Sequence, residues 1–317
     1  MIRFISEEDV EAVLDVATTI DLLDSAARAL AAGTASVTPR QRPTTTGIFM
    51  NLMGAGLDGR IGHKCYPIAR PRGANFVVTL YGNDASMLAL IQANRLGQIR
   101  TGAASGLATR LMARPDASVA AIIGTGWQAR TQLEAVCRVR PIELARAVGR
   151  NPERTQKFCT GMTTLLGIPV EPAADVASAV RDADVVSVMT SASEPLLFGS
   201  MLAPGTHVNA AGSNKATAAE IDADLVSRAG IVALELLAQA KVESGDLLSA
   251  ERAGAWDWSR AVLLSDIVTG AAPGRTSADE ITLFESLGIA LWDIAAANYV
   301  YDQCVKTGRG REVDIPS

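Results

Sequence analysis

Val119-Ala120-Ala121-Ile122-Ile123-Gly124-Thr125-Gly126-Trp127-Gln128-Ala129 is an apolar run that breaks into a glycine turn. The residues after it carry Leu133, Val136 and Cys137 at helical spacing. The stretch from Asp116 to Asn151 therefore opens as strand, turn and helix. The turn reads G-x-G-x-x-A, the dinucleotide fingerprint with Ala as its third small residue. Gly124 permits the tight turn, Gly126 lets the backbone approach a pyrophosphate, and Ala129 lets the helix lie close on the strand. The free N–H groups of the first helical turn then suit an anion.

A second strand follows at Ala145 to Val148, then Gly149-Arg150-Asn151-Pro152 and a further helix. An NAD site usually places Asp or Glu at the end of this strand, about 20 residues past the glycines, for the ribose 2′-hydroxyl. Here Gly149 stands there with Arg150 beside it. The missing carboxylate removes repulsion against a 2′-phosphate, and an arginine can pair with one. The cofactor expected is NADP(H), with NAD(H) the alternative.

Beyond Asp116 strand and helix alternate, with strands expected at Val185 to Met189, Thr206 to Ala210, Ile231 to Leu234 and Ala261 to Leu264. Alternation of this kind implies a parallel, doubly wound sheet. The first third has a different texture. Ser6 caps a helix whose first turn is Glu7-Glu8-Asp9, and a second helix runs from near Thr19 to Gly33. Strands are expected at Ile48 to Met53 and Arg60 to Tyr66 across Asp58-Gly59, and at Asn75 to Tyr81 and Ser86 to Gln92 across Gly82-Asn83-Asp84. An Ala-rich helix from Gln98 to Ala113 stops before Pro115, and a last helix from Ser277 to Val305 is expected to pack back on this part. The fold class is α/β: a Rossmann-type doubly wound domain at 115–284, plus an α+β domain at 1–114 joined by the returning 285–317.

Composition narrows the partners. A chain of 317 residues can bury two substantial cores. The net charge of −5 and the lack of a basic tract argue against nucleic acid or an anionic membrane surface. Glu7, Glu8 and Asp9 fall where a signal peptide would be apolar, and no apolar run reaches the roughly 20 residues of a membrane span. Cys65, Cys137, Cys159 and Cys304 are scattered without a C-x-x-C, which fits reduced thiols in a cytoplasmic protein. His63 and His207 are the only histidines, so no metal site is expected. His63 should face away from Lys64 by strand alternation, and His207 after Pro204-Gly205-Thr206 reads as structural.

Three cations have unusual settings. Lys64 lies within the apolar Ile61-Gly62-His63-Lys64-Cys65-Tyr66, Arg100 heads the small-residue run Thr101-Gly102-Ala103-Ala104-Ser105, and Arg42 ends Pro39-Arg40-Gln41-Arg42. Arginine can grip a carboxylate bidentately, and lysine can serve as a point charge or proton donor. Spacing alone does not bring the three together.

These stretches resemble the ornithine cyclodeaminase/μ-crystallin family. The likeness runs through Pro39-x-x-Arg42, Gly62-x-Lys64, Arg100-Thr101-x-Ala103-Ala104, the Gly124–Ala129 turn, Pro204-Gly205-Thr206-His207-Val208, and Gly274-Arg275 leading to Phe284-Glu285-Ser286-Leu287-Gly288. It implies that 1–114 with 285–317 is the substrate-binding and dimerisation domain of a homodimer that interconverts small amino and imino acids with a nicotinamide cofactor. By that resemblance Arg42 and Lys64 hold the substrate carboxylate, and Lys64 can hydrogen-bond the reacting centre. Thr79 and Arg100 would contact the cofactor, Trp127 and Gln128 the pyrophosphate, Thr190 and Ser286 the rest of the cofactor cleft, and Leu287 the substrate.

One departure is large. Cyclodeaminases and related alanine dehydrogenases of the family carry a catalytic Asp in a Gly-x-Asp, whereas this chain reads Gly212-Ser213-Asn214. An amide cannot take up a proton as a carboxylate does, although Asn214 can orient a substrate or water. Ketimine reductases of the μ-crystallin type also lack that Asp. The expected activity is thus reduction of a ketimine C=N bond next to a carboxylate. Ornithine cyclodeamination to proline and ammonia, alanine dehydrogenation and catalytically silent NADPH binding are the alternatives.

Overall fold

A computed structural model describes residues 1–69 and 73–314. Contacts divide the chain into two units, Met1–Thr101 with Gly288–Ser317, and Gly102–Leu287. Residues 315–317 of the returning segment lie outside the described residues. The texture of the sequence changes at Asp116, but the contacts divide earlier, inside the helix Asn94–Met112. Gly102 explains why: Thr131 of the helix Ala129–Val139 lies directly against its α-carbon, so the second half of Asn94–Met112 packs with the later unit.

The Gly102–Leu287 unit is built on an eight-stranded parallel sheet. Its strands lie in the order Val170–Pro172, Leu144–Val148, Val119–Ile123, Val185–Val188, His207–Ala210, Ile281–Glu285, Ala229–Leu234 and Ala261–Leu263. The chain starts at Val119–Ile123, winds outward one way, then returns to wind the other way. That makes a doubly wound sheet whose switch point lies beside the glycine turn. Both faces are covered, which is why Val119–Ile123 is apolar throughout rather than alternating. Ala121 and Ile123 pack into one cluster with Val186, Val208 and Leu283; Ala120 and Ile122 pack into another with Leu133, Val136 and Met162.

The sequence suggested a single helix from Ser277 to Val305, but Ile281–Glu285 is a strand, and the helix runs from Ala290 to Thr307. All five residues of that strand are buried between two parallel neighbours. A short run buried on both faces has no polar alternation to distinguish it from a buried helix. Several short strands were also unforeseen, among them Ile2–Ile5, Val170–Pro172 and Arg311–Val313, and the second helix starts at Val16 with Asp15 as its cap rather than near Thr19.

The other unit holds a nine-stranded sheet, antiparallel except where Ile2–Ile5 runs parallel to Met87–Gln92. Its centre is the hairpin Ile48–Leu57 with Arg60–Ala69, closed by Asp58 at φ 55° and Gly59 at φ 72°. Positive φ at both positions matches the twist of the flanking strands. Arg60–Ala69 pairs on its other side with Val77–Tyr81. The helix Ala290–Thr307 lies across these strands, and Val16–Ala31 packs on that helix. Gly62 sets the closeness of the approach: a β-carbon there would stand 2.6 Å from Ile294 Cδ1 and 2.5 Å from the Thr79 carbonyl oxygen.

Candidate active site

Strand register collects the cations of the first unit. Met53 pairs with Lys64 and Asn51 with Tyr66, so these side chains share the buried face of the hairpin. Gln41 bridges to Leu52, which puts Arg40 and Arg42, two residues apart, on that same side. Arg42 Nε donates to Asn51 Oδ1 at 3.0 Å. Arg40 is 7% exposed and donates to the Gly288 carbonyl at 2.9 Å, with Met53 Sδ 3.3 Å from its Nε. Arg100 comes from the helix Asn94–Met112.

Asp293, in the first turn of Ala290–Thr307, ties the cluster together. Its Oδ1 accepts from Lys64 Nζ at 2.9 Å and from Arg100 Nε at 3.0 Å, and it is wholly buried. Two glycines make the room. A β-carbon at Gly97 would lie 3.1 Å from Lys64 Nζ, and one at Gly288 would lie 2.5 Å from an Arg100 guanidinium nitrogen. The Lys64 ammonium also lies 4.8 Å from the centre of the Phe76 ring and 5.6 Å from that of Tyr66, within cation–π range. Burial pushes Lys64 down to about 8; Asp293 opposes this, and Arg100 and Arg40 add to it. Lys64 and Arg100 thus share one carboxylate, the Arg40 charge acts on Lys64, and Arg42 stands on the same side of the strands, an excess of positive charge suited to a small anionic ligand.

Thr79 is not part of this cluster. It pairs with His63, and its hydroxyl lies 2.7 Å from His63 Nδ1, on the opposite side of the strands from Lys64. Burial holds His63 below the usual histidine range.

In the second unit, parallel strands bring their C-terminal ends to one edge, where open α/β sheets bind ligands. Gly124, Gly126, Trp127 and Gln128 follow Val119–Ile123, Arg150 follows Leu144–Val148, and Thr190 follows Val185–Val188. Asn214 follows His207–Ala210, and Ser286 and Leu287 follow Ile281–Glu285. Gly124 adopts φ 98°, and no atom lies within 4 Å of a β-carbon built at Gly126. No side chain caps the helix Ala129–Val139. An open glycine beside uncapped helical amides fits the pyrophosphate of a dinucleotide. At Gly149 a β-carbon would stand 2.5 Å from Thr125 Oγ1 and 2.7 Å from Thr155 Oγ1. A side chain at the place of the ribose-binding acid would need both threonine hydroxyls to move, and the exposed Arg150 follows it.

Buried carboxylates brace this edge, and sequence reading did not find them. Glu220 Oε1 accepts from the Thr190 amide at 2.7 Å and its hydroxyl at 2.6 Å. Glu235 accepts from the Ser286 hydroxyl at 3.0 Å and the Leu287 amide at 2.9 Å. Asp246 Oδ1 accepts from the amides of Glu220 and Ile221 at 2.6 and 2.9 Å, and Glu285 accepts from the Ser244 hydroxyl at 2.7 Å. Burial pushes Glu220 up to about 7 and Asp246 up to about 6, and burial with the Asp246 charge raises Glu285 well above the usual carboxylate range. Asn214 is half-buried in the segment after its strand. His207 is fully buried between Thr282 Oγ1 and Asn209 Oδ1, and burial pushes it down to about 3, so it is neutral.

The profile of the ornithine cyclodeaminase/mu-crystallin family matches residues 2–308. Delta(1)-pyrroline-2-carboxylate reductase of Bacillus cereus is 37% identical over 229 residues, covering 72% of this chain and 70% of that protein. The mouse (Mus musculus) ketimine reductase mu-crystallin is 34% identical over 220 residues, covering 69% of this chain and 66% of that protein. The solved structure of Thermococcus litoralis Delta(1)-pyrroline-2-carboxylate reductase, in complex with NADH and L-proline, is 31% identical and superposes with a TM-score of 0.94, covering 98% of this chain and 100% of that one. With a family match across nearly its whole length, the chain belongs to the ornithine cyclodeaminase/mu-crystallin family.

Proposed function

We propose that this protein is a nicotinamide-dependent reductase of a small imino acid, acting on a C=N bond next to a carboxylate, as in a cyclic ketimine. The observation that carries this reading is the pairing of Lys64 and Arg100 on the buried Asp293 carboxylate, with Arg40 acting on Lys64 and Arg42 on the same side of the strands. Arg42 binds the substrate carboxylate, with Asn51 fixing its guanidinium from behind. Lys64 Nζ shares that carboxylate and delivers a proton to the imine nitrogen; Leu287 packs against the substrate. Both relatives above are named as reductases of this kind.

The Gly102–Leu287 unit holds the cofactor, which supplies hydride when bound. Gly124, Gly126, Trp127 and Gln128 receive its pyrophosphate, Thr190 and Ser286 line the cleft, and Thr79 and Arg100 belong to the cofactor's surroundings. The glycine at 149, crowded by Thr125 and Thr155, and the exposed Arg150 support NADP(H) as the preferred form. Asn214 orients substrate or water by hydrogen bonds and takes no proton. The unit formed by Met1–Thr101 and Gly288–Ser317 binds substrate and forms a homodimer. The proposed compartment is the cytoplasm. No helix of the described residues is long and apolar enough to cross a membrane.

The test follows reduced-nicotinamide absorbance with Δ1-pyrroline-2-carboxylate under NADPH and under NADH, in wild type and Arg150→Ala. Turnover with an NADPH preference that collapses in the variant is expected. Proline formed from ornithine without net cofactor change would establish cyclodeamination instead. Turnover of alanine alone would establish a dehydrogenase.

A further inference from the structure

We propose that Asp293 is the positioning residue of the reduction, holding Lys64 as an ammonium and fixing it against Arg100. This rests on Lys64 being the proton donor to the imine. Removing the acid found at position 214 in the family's cyclodeaminases leaves Asn214 there, so charge control at the reacting nitrogen must come from elsewhere. Asp293 is the carboxylate that touches Lys64, at 2.9 Å, and it comes from a different element.

The surroundings show why it is needed. Lys64 is 2% exposed and faces Arg100 from Asn94–Met112 and Arg40 from the extended segment, both of which disfavour its charge. On its own strand it faces Tyr66, and next to that the Phe76 ring. An ammonium buried among cations would shed its proton unless a counter-charge held it. Asp293 Oδ1 provides that charge and bonds both Lys64 and Arg100, so it also sets the spacing of the two cations. Its Oδ2 is buried and has no hydrogen-bond partner among the described residues. That oxygen gives the ammonium a second acceptor, and Lys64 can turn toward a substrate nitrogen without leaving the ion pair.

The step balances. One proton passes from Lys64 Nζ to the imine nitrogen, the reduced nicotinamide dinucleotide gives its hydride to the adjacent carbon, and the C=N bond becomes an amine. Lys64, now neutral, regains its proton from water, drawn back by the Asp293 charge.

The chain has five lysines, and Lys64 is the buried one; Lys157, Lys215, Lys241 and Lys306 are exposed. Carbon-13 labelling of the lysine ε-carbons therefore gives a simple spectrum in which Lys64 titrates apart from the rest. Wild-type Lys64 should be charged at pH 7 and lose its proton before the exposed lysines. In Asp293→Asn its midpoint should fall by at least about one pH unit, since an opposite charge in contact shifts a pKa by roughly one to three units. The alkaline limb of kcat/KM for imine reduction should move down with it, and Asp293→Glu should move both back toward wild type.

A Lys64 that is neutral at pH 7 in wild type overturns the proposal, and that measurement stands even if Asp293→Asn does not fold. A Lys64 midpoint unmoved in a folded Asp293→Asn overturns it as well. A midpoint that moves as expected in a protein that turns over no imine would instead sink the proposed activity while leaving the ion pair established.

Discussion

Gly62→Ala should destabilise the unit that carries Lys64, and the structure gives the size of the effect. The new methyl would lie 2.6 Å from Ile294 Cδ1 and 2.5 Å from the Thr79 carbonyl. Carbon atoms pack at about 3.5–4.0 Å, so the helix Ala290–Thr307 would have to retreat by about 1 Å. Overpacking of this kind costs about 1–3 kcal/mol. Ile294→Val removes the clashing Cδ1 and costs about 1 kcal/mol alone. Combined, the two should cost less than their sum by about 0.5 kcal/mol or more, because the valine gives the methyl its space. The remaining contact with the Thr79 carbonyl keeps the rescue partial. Urea unfolding followed by the fluorescence of Trp292, two residues from Ile294 and 1% exposed, reports on this unit. Trp127, Trp256 and Trp258 lie in the other unit and can be replaced by Phe to isolate the signal. A Gly62→Ala cost under about 0.5 kcal/mol, the size of an ordinary surface change, or strictly additive mutations, would refute the close approach.

Arg42→Ala should raise KM for the imino acid by about 10- to 100-fold, the worth of a charge-assisted hydrogen bond to a carboxylate, and should lower stability by about 1–3 kcal/mol because the buried Asn51 Oδ1 loses its partner; an unchanged KM would remove Arg42 from the carboxylate site. The buried acids of the other unit predict a pH dependence. Glu220 is raised to about 7, so between pH 5 and 7 the folded protein holds a proton that the unfolded chain has released. That contribution is present at low pH and is lost as pH rises through 7, at about 1.4 kcal/mol per pKa unit. Glu220→Gln, which keeps an oxygen for Thr190, should flatten the fall in urea midpoint across that interval, and an identical slope in both proteins would count against the raised value.

The parts of the fold legible in the sequence were those whose cause is local. The Gly124–Ala129 turn, the Asp58-Gly59 hairpin and the Ser6 cap each follow from backbone chemistry within a few residues, and the structure contains all of them. Ile281–Glu285 was not legible, because its strand pairing comes from segments far away in the chain. Asp293 was missed for a similar reason: its partner Lys64 is 229 residues away. A signal did exist, since Asp293 stands alone in the apolar Leu291-Trp292-Asp293-Ile294-Ala295, where an acid must be paired if it is buried. Asn51 gave a comparable sign, at an inward position of an alternating strand, where it now holds Arg42.

The central place of Ile281–Glu285 has a consequence for how the protein is made. That strand fills the gap between His207–Ala210 and Ala229–Leu234, yet it is the last of its sheet to leave the ribosome. Until it emerges, the nascent sheet presents two unsatisfied apolar edges facing each other, the kind of surface that invites pairing with a stranger. The first unit waits as well, since its covering helix Ala290–Thr307 follows. The Gly102–Leu287 unit is complete only once this strand has emerged, and the other unit only after the helix that follows, so a stall or truncation before residue 281 leaves both incomplete at once.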